Sequence, residues 1–138
     1  MRTAGGITGP ISIDSGTKQG NPFSPILFKL TLEPVTRAVS ATGGGYTLAG
    51  RTYNQLDYAD DKVVIADSPE SMRALLTSAE DAAALVGLSY NPNKCATLHL
   101  KGRGVTQVRQ TEFEIQGQVM RSLNIGEAYE HLGTPTGF

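Results

Sequence analysis

TYNQLDYADDKVVIA, residues 52–66, is the stretch on which the reading of this chain turns. Two runs rich in β-branched, aromatic and aliphatic residues, Thr52–Tyr58 and Lys62–Ala66, flank a tight acidic corner at Ala59-Asp60-Asp61. Strand-like runs separated by so short a polar link predict a β-hairpin. Val63, Val64 and Ile65 are continuous rather than alternating, which predicts a second strand buried on both faces. Adjacent carboxylates repel one another and resist desolvation, so Asp60 and Asp61 are expected at an exposed tip. Taken alone, such a pair is an ordinary polar turn, because turns tolerate Asp. It is also a half-built cation site. Hard divalent ions prefer carboxylate oxygens and share their remaining shell with water and phosphates. Two carboxylates from one corner would need a further acid from another strand.

Downstream of the corner, Ser68 is placed as an N-cap, Pro69 at the first helical position and Glu70 in the first turn of a helix. Met72, Leu75, Leu76, Ala79, Ala83 and Val86 form one apolar stripe, and Gly87 fits the position just past the end. On the upstream side GTKQGNPFSP, residues 16–25, reads as a loop. Ser24 is expected to cap the helix that follows, with Pro25 first inside it. Ile26, Leu27, Leu30, Val35, Ala38 and Val39 recur at three- and four-residue steps along that helix. Pro34 should kink or divide it. Gly43, Gly44 and Gly45 end it, and a strand is expected over Tyr46–Ala49. Before the loop only Ile11–Asp14 reads as a strand. Beyond the second helix, Asn91-Pro92-Asn93 predicts a turn and Ala96–Leu100 a strand. Glu112–Ile115 and Gln118–Leu123 predict a hairpin around Gln116-Gly117. The final segment, AYEHLGTPTGF, carries no evident closing element. This order predicts an α+β fold, a mostly antiparallel sheet with helices on one face.

Composition narrows the classes further. The 138 residues carry a net charge of −1, which excludes nucleic-acid binding by bulk positive charge alone. The length suits one domain with its own core. The longest apolar run, Ala82–Leu88 even counting Gly87, is far below the roughly 20 residues of a membrane span. No signal peptide is visible at the start. The single cysteine, Cys95, excludes an internal disulfide and a cysteine-built zinc site. It reads as a small hydrophobe at the start of a strand. Together these suggest the cell interior. Lys94, Lys101, Arg103 and Arg109 fall in a window without acids, and suit either a phosphate backbone or a solvated loop.

Four motifs in order resemble the palm region of reverse transcriptases, most closely those of non-LTR, LINE-like retrotransposons, with group II intron proteins as relatives. Gly16, Gln19, Gly20, Ser24 and Pro25 match a G-x-x-Q-G-x-x-x-S-P loop, although Asn21 stands where the family often has Asp. Tyr58, Ala59, Asp60 and Asp61 match the Y-A-D-D corner. Gly87, Leu88, Asn91, Lys94 and Cys95 match G-L-x-x-N-x-x-K-C, and Tyr129, Leu132 and Gly133 match Y-x-x-L-G. The resemblance implies an RNA-directed DNA polymerase, a nucleotidyltransferase using Mg²⁺ or Mn²⁺, with an RNA template, a DNA primer and dNTPs as partners. It implies Asp60 and Asp61 as catalytic metal ligands, Asp60 the more stringent. Tyr58 and Ala59 would lie at the primer end and nucleotide, and Gln19 and Gly20 along the nucleotide and template path. Lys94 would neutralise the triphosphate or protonate the departing pyrophosphate. Each residue also has a plainer role: a core tyrosine, a helix-entry loop, a solvated lysine.

The resemblance also defines what this sequence lacks. The family's palm has a further catalytic Asp on a strand well upstream of the glutamine loop. Asp14 lies too close to Gln19 to be assigned that part. Residues 1–138 are therefore expected to be the C-terminal part of a palm domain, without fingers, upstream catalytic strand or thumb. Such a piece would be inactive in polymerisation by itself, and its exposed sheet edge invites self-association. The alternative is a catalytically inactive retroelement remnant serving as a nucleic-acid or protein interaction domain. An intracellular location is implied, and the nucleus suits a retrotransposon protein.

Overall fold

The computed structural model describes residues 2–3, 6–7, 20–102 and 105–137. The expected strand at Ile11–Asp14 lies outside the described residues. A short ribbon, Arg2–Thr3 with Gly6–Ile7, precedes it.

Two helices form the centre. Helix α1 spans Ser24–Thr42 and helix α2 spans Pro69–Leu85. In α2 the sequence reading and the structure coincide. The Ser68 hydroxyl oxygen accepts a hydrogen bond from the Ser71 N–H at 3.2 Å, and Gly87 takes a φ of +72° just beyond the end. Leu75, Leu76, Ala79, Ala82 and Ala83 are buried along one stripe. In α1 the reading needs two corrections. Ser24 is not the cap but the first helical residue, and it is buried. Asn21 makes the turn instead: its Oδ1 accepts from the Phe23 N–H at 3.0 Å and its carbonyl from the Ser24 N–H at 3.0 Å. The apolar stripe is also buried only in its second half. Val35 and Val39 pack against α2, while Ile26, Leu27 and Leu30 stay exposed, because α2 covers only the second half of α1 among the described residues. The helix runs through Pro34 undivided.

Three apolar clusters make the core. Val35 packs with Ala82 and Ala83, and Val39 with Leu75 and Ala79. Leu76 packs with Phe113, Ile115 and Met120. The half-buried Tyr90 touches all three, joining both helices to the C-terminal segment. Arg73 lies over the Phe113 ring at 5.5 Å from its centroid and shields that cluster's edge.

The fold is mixed α+β, but its strands pair only two by two. Among the described residues there are seven two-stranded sheets, six antiparallel and one parallel (Arg121–Ser122 with Ala96–Thr97). The expected strand at 52–58 is broken at Asn54. Its Nδ2 donates to the Val39 carbonyl at 2.9 Å, and its own carbonyl accepts from the Ile65 N–H at 2.9 Å. The result is two hairpins, Tyr46–Leu48 with Arg51–Tyr53, then Gln55–Tyr58 with Asp61–Val64. Asn91-Pro92-Asn93 becomes a 3₁₀ turn, Pro92–Lys94, with the Asn91 side chain capping it. The strand expected at 96–100 is likewise two pieces, Ala96–Thr97 and His99–Lys101. The hairpin at Gln116-Gly117 forms as expected, with φ of +52° and +68°, the type I′ pattern. The tail, read as lacking an element, closes as a hairpin too: Ala128–His131 pairs with Thr134–Gly137 around Leu132-Gly133, at φ of +51° and +73°. No helix among the described residues is long and apolar enough to cross a membrane.

Candidate active-site corner

The acidic corner is the turn of the second hairpin. Tyr58 pairs with Asp61, leaving Ala59 and Asp60 as a two-residue link. Ala59 has a φ of +53°, and Asp60 does not share the left-handed region. A positive φ at the first central residue alone is the type II′ pattern, whose twist matches that of the flanking strands. Asp60 and Asp61 are both exposed. Among the described residues neither carboxylate makes a hydrogen bond or ion pair with protein. Side chains alternate along each strand. Leu56, Tyr58, Asp61 and Val63 therefore share one face, and Gln55, Asp57, Lys62 and Val64 the other. The first face is open: Leu56 is 54% and Tyr58 67% exposed. Val63, Val64 and Ile65 are half-buried, so the strand is not enclosed on both sides as its sequence suggests. Only one side of the ribbon rests on the helices.

That side is held by an apolar foot and a polar clamp. Val64 and Ala66 pack on Val39, Leu75 and Ala79. Nearer the tip, Lys62 Nζ donates to Asp57 Oδ1 at 2.5 Å and to Gln55 Oε1 at 2.7 Å. The Thr36 hydroxyl of α1 donates to Asp57 Oδ2 at 2.9 Å. Gln55 Nε2 donates to the Thr36 carbonyl at 2.6 Å and to Ser40 Oγ at 2.7 Å. Lys62 neutralises Asp57 here, so Asp57 is occupied and turned away from the corner's two acids. Sequence reasoning passed over this clamp. A two-residue turn at Ala59-Asp60 already sets Asp57 opposite Lys62, so the register carried the signal.

The other expected site residues are dispersed. Gln19 lies outside the described residues. Gly20 is exposed with a φ of +87°, and a methyl group there would meet no atom of the described residues within 4 Å. Among the described residues its backbone conformation, not a close approach, explains the glycine. Lys94 ends the 3₁₀ turn, and its carbonyl accepts from the Tyr129 hydroxyl at 2.6 Å, which ties the K-C motif to the Y-x-x-L-G motif. Among the described residues no hydrogen bond or ion pair joins Lys94 to the acidic corner. Cys95 is half-buried against the Leu76 cluster, and burial pushes its thiol pKa up, which suits an inert hydrophobe. Of the basic window, Arg103 lies outside the described residues. Among the described residues no group of three or more His, Cys, Asp or Glu side chains could hold a metal ion. Asp60 and Asp61 have the hard-oxygen chemistry a divalent ion needs, but supply only part of a shell.

Comparison with known proteins points to the same family. The profile of the family described as reverse transcriptase (RNA-dependent DNA polymerase) matches residues 2–134. The chain is 31% identical over 128 residues to the retrovirus-related Pol polyprotein from type-2 retrotransposable element R2DM of Drosophila melanogaster, covering 88% of this chain and 12% of that protein. It is 30% identical over 122 residues to the retrovirus-related Pol polyprotein from type-1 retrotransposable element R2 of Nasonia vitripennis, covering 86% and 12%. A counterpart of the same description in Popillia japonica is 30% identical over 133 residues, covering 94% and 22%. The chain thus spans between about an eighth and about a fifth of the length of these curated relatives. These matches agree with the non-LTR resemblance of the four motifs, and the chain belongs to the reverse transcriptase (RNA-dependent DNA polymerase) family.

Proposed function

We propose that this chain is the C-terminal part of the palm of an RNA-directed DNA polymerase of the R2 retrotransposon type. In this reading it works within a longer polypeptide that supplies the fingers, the upstream catalytic strand and the thumb. The two-stranded ribbons would then be parts of a larger, mostly antiparallel sheet with the helices on one face. The observation that carries the reading is the corner itself: two adjacent, exposed carboxylates without partners among the described residues, at the tip of a hairpin clamped to the helix that opens after Gln19-Gly20.

Asp60 and Asp61 would hold divalent cations, Mg²⁺ or Mn²⁺, together with a carboxylate from the upstream strand. Bound there, such ions supply the charge that activates a hydroxyl and stabilises a leaving oxygen in phosphoryl transfer. Tyr58, on the same face as Asp61, presents a ring and a hydroxyl to a primer terminus, and Ala59 leaves room beside it. Gln19 and Gly20 line the path of the dNTP and RNA template, and Lys94 meets the triphosphate. As a separate chain, the protein would self-associate through the unpaired edges of its ribbons.

The test uses the chain itself. Mn²⁺ titrated into isotope-labelled protein should broaden the amide signals of residues 58–62 first, and D60N/D61N should abolish that selectivity. Primer extension by this chain alone should be undetectable. Broadening that favours other carboxylates and is unchanged in D60N/D61N would overturn the metal assignment. Robust DNA synthesis would overturn the incomplete palm.

A further inference from the structure

The hairpin preceding the acidic one has no core of its own, yet it carries aromatic residues. All six of its strand residues, Tyr46–Leu48 and Arg51–Tyr53, are exposed. Its register pairs Tyr46 with Tyr53, Thr47 with Thr52 and Leu48 with Arg51. Cross-strand partners lie on the same face. The two threonine hydroxyls, 3.0 Å apart, therefore mark one face, and Tyr46, Tyr53, Leu48 and Arg51 the other. The tyrosines are 56% and 40% exposed and Leu48 61%. The Arg51 guanidinium makes no ion pair or hydrogen bond among the described residues. No acidic residue occurs between Glu33 and Asp57, so the surrounding sequence does not repel a polyanion.

The base of the hairpin is firmly seated. Gly45 has a φ of +124°, and a methyl group on it would fall 2.7 Å from the Tyr53 carbonyl oxygen, so the chain crosses itself closely at that point. Asn54, directly after Tyr53, is fastened to α1 and to Ile65 by the two hydrogen bonds already described. A rigid base holds the exposed rings in place before any ligand arrives, which lowers the ordering cost of binding.

We propose that the Tyr46–Tyr53 face with Arg51 is a stacking platform for single-stranded nucleic acid, next in the chain to the acidic hairpin. Paired aromatic rings accept any base on their faces, and a neighbouring unpaired guanidinium meets the phosphate or stacks on a base. This assignment rests on the polymerase reading and extends it, adding a strand-holding site apart from the four family motifs.

The experiment is fluorescence anisotropy of a labelled deoxythymidine oligomer of about ten nucleotides with the full chain. Y46A/Y53A should weaken binding about tenfold or more, and Y46F/Y53F should stay within about twofold of wild type, since the ring faces remain. R51E should weaken binding and flatten its salt dependence, and R51K should restore both in part. Circular dichroism melting shows whether each variant is folded, and the Phe and Arg51 variants decide the matter if the alanine pair is not. Wild-type affinity in Y46A/Y53A and R51E would overturn the platform, and the polymerase reading would survive. Failure of the wild-type chain to bind the oligomer would also overturn the platform, while the polymerase reading would still be judged by Mn²⁺ at Asp60 and Asp61.

Discussion

Helix α2 and the acidic hairpin are neighbours held by different physics. Helix α2 has its own cap, a stop signal and five buried apolar side chains. The hairpin buries little of itself. It stands on Val64 and Ala66 and is steered by the Thr36, Gln55, Asp57 and Lys62 clamp, while Leu56 and Tyr58 face outward. Burial makes α2 stable in place. The hairpin trades burial for an open acidic tip, and its orientation depends on charged hydrogen bonds at its stem.

The sharpest way to break this contrast is truncation on each side. Leu75 is fully buried in α2, so Leu75→Ala should cost about 2–5 kcal/mol in urea unfolding, enough to unfold a marginal domain. The same truncation at the exposed Leu56 should stay within about 0.5 kcal/mol. Equal costs would erase the distinction.

A smaller effect is expected at the clamp. Asp57→Asn leaves the largely buried Lys62 ammonium facing an amide, and should cost about 1–3 kcal/mol. The hairpin amides should then exchange hydrogen faster than those of α2. A uniform change in both elements would mean that the clamp has no local role.

The gentlest probe is pH, through Tyr90, which touches both helices' clusters. Burial, and then the negative charges of Asp57, Cys95 and Glu80, push its pKa from 10.0 up to about 12. Below pH 10 the phenol is neutral in both folded and unfolded chains, and this contribution is complete. Between pH 10 and 12 the unfolded chain releases the proton first, so stability falls as pH rises. Absorbance at 295 nm should show a tyrosinate step well above pH 10 that Tyr90→Phe removes. One tyrosinate step near pH 10 would contradict its buried position.

What could be read from the sequence follows the same divide. Signals local in the chain were legible: Ser68 with Pro69 and Glu70, Gly87, and Gln116-Gly117 each specify backbone geometry within a few residues. The acidic corner was legible too, because its turn and its chemistry sit side by side. Features set by distant partners were not. Asn54 breaks a run that reads as one strand because it answers Val39, fifteen residues upstream. Ile26, Leu27 and Leu30 continue a helical stripe that no described residue covers. The Asx turn at Asn21 competed with Ser24 for the same helix start, and propensity favours both. The tail hairpin escaped notice because its turn is Leu132-Gly133, and leucine is a poor advertisement for positive φ.

Cys95 gives the molecule a built-in reporter. It is the sole thiol in the chain, and it lies half-covered beside Leu76, Phe113, Ile115 and Met120, with its Sγ 3.3 Å from the Asn91 carbonyl. The C-terminal cluster covers part of it, so lifting of that segment from α2 should speed its reaction with a disulfide reagent. The rate of colour release under native conditions therefore responds to that lifting, with no label to introduce and no second thiol to confuse the trace.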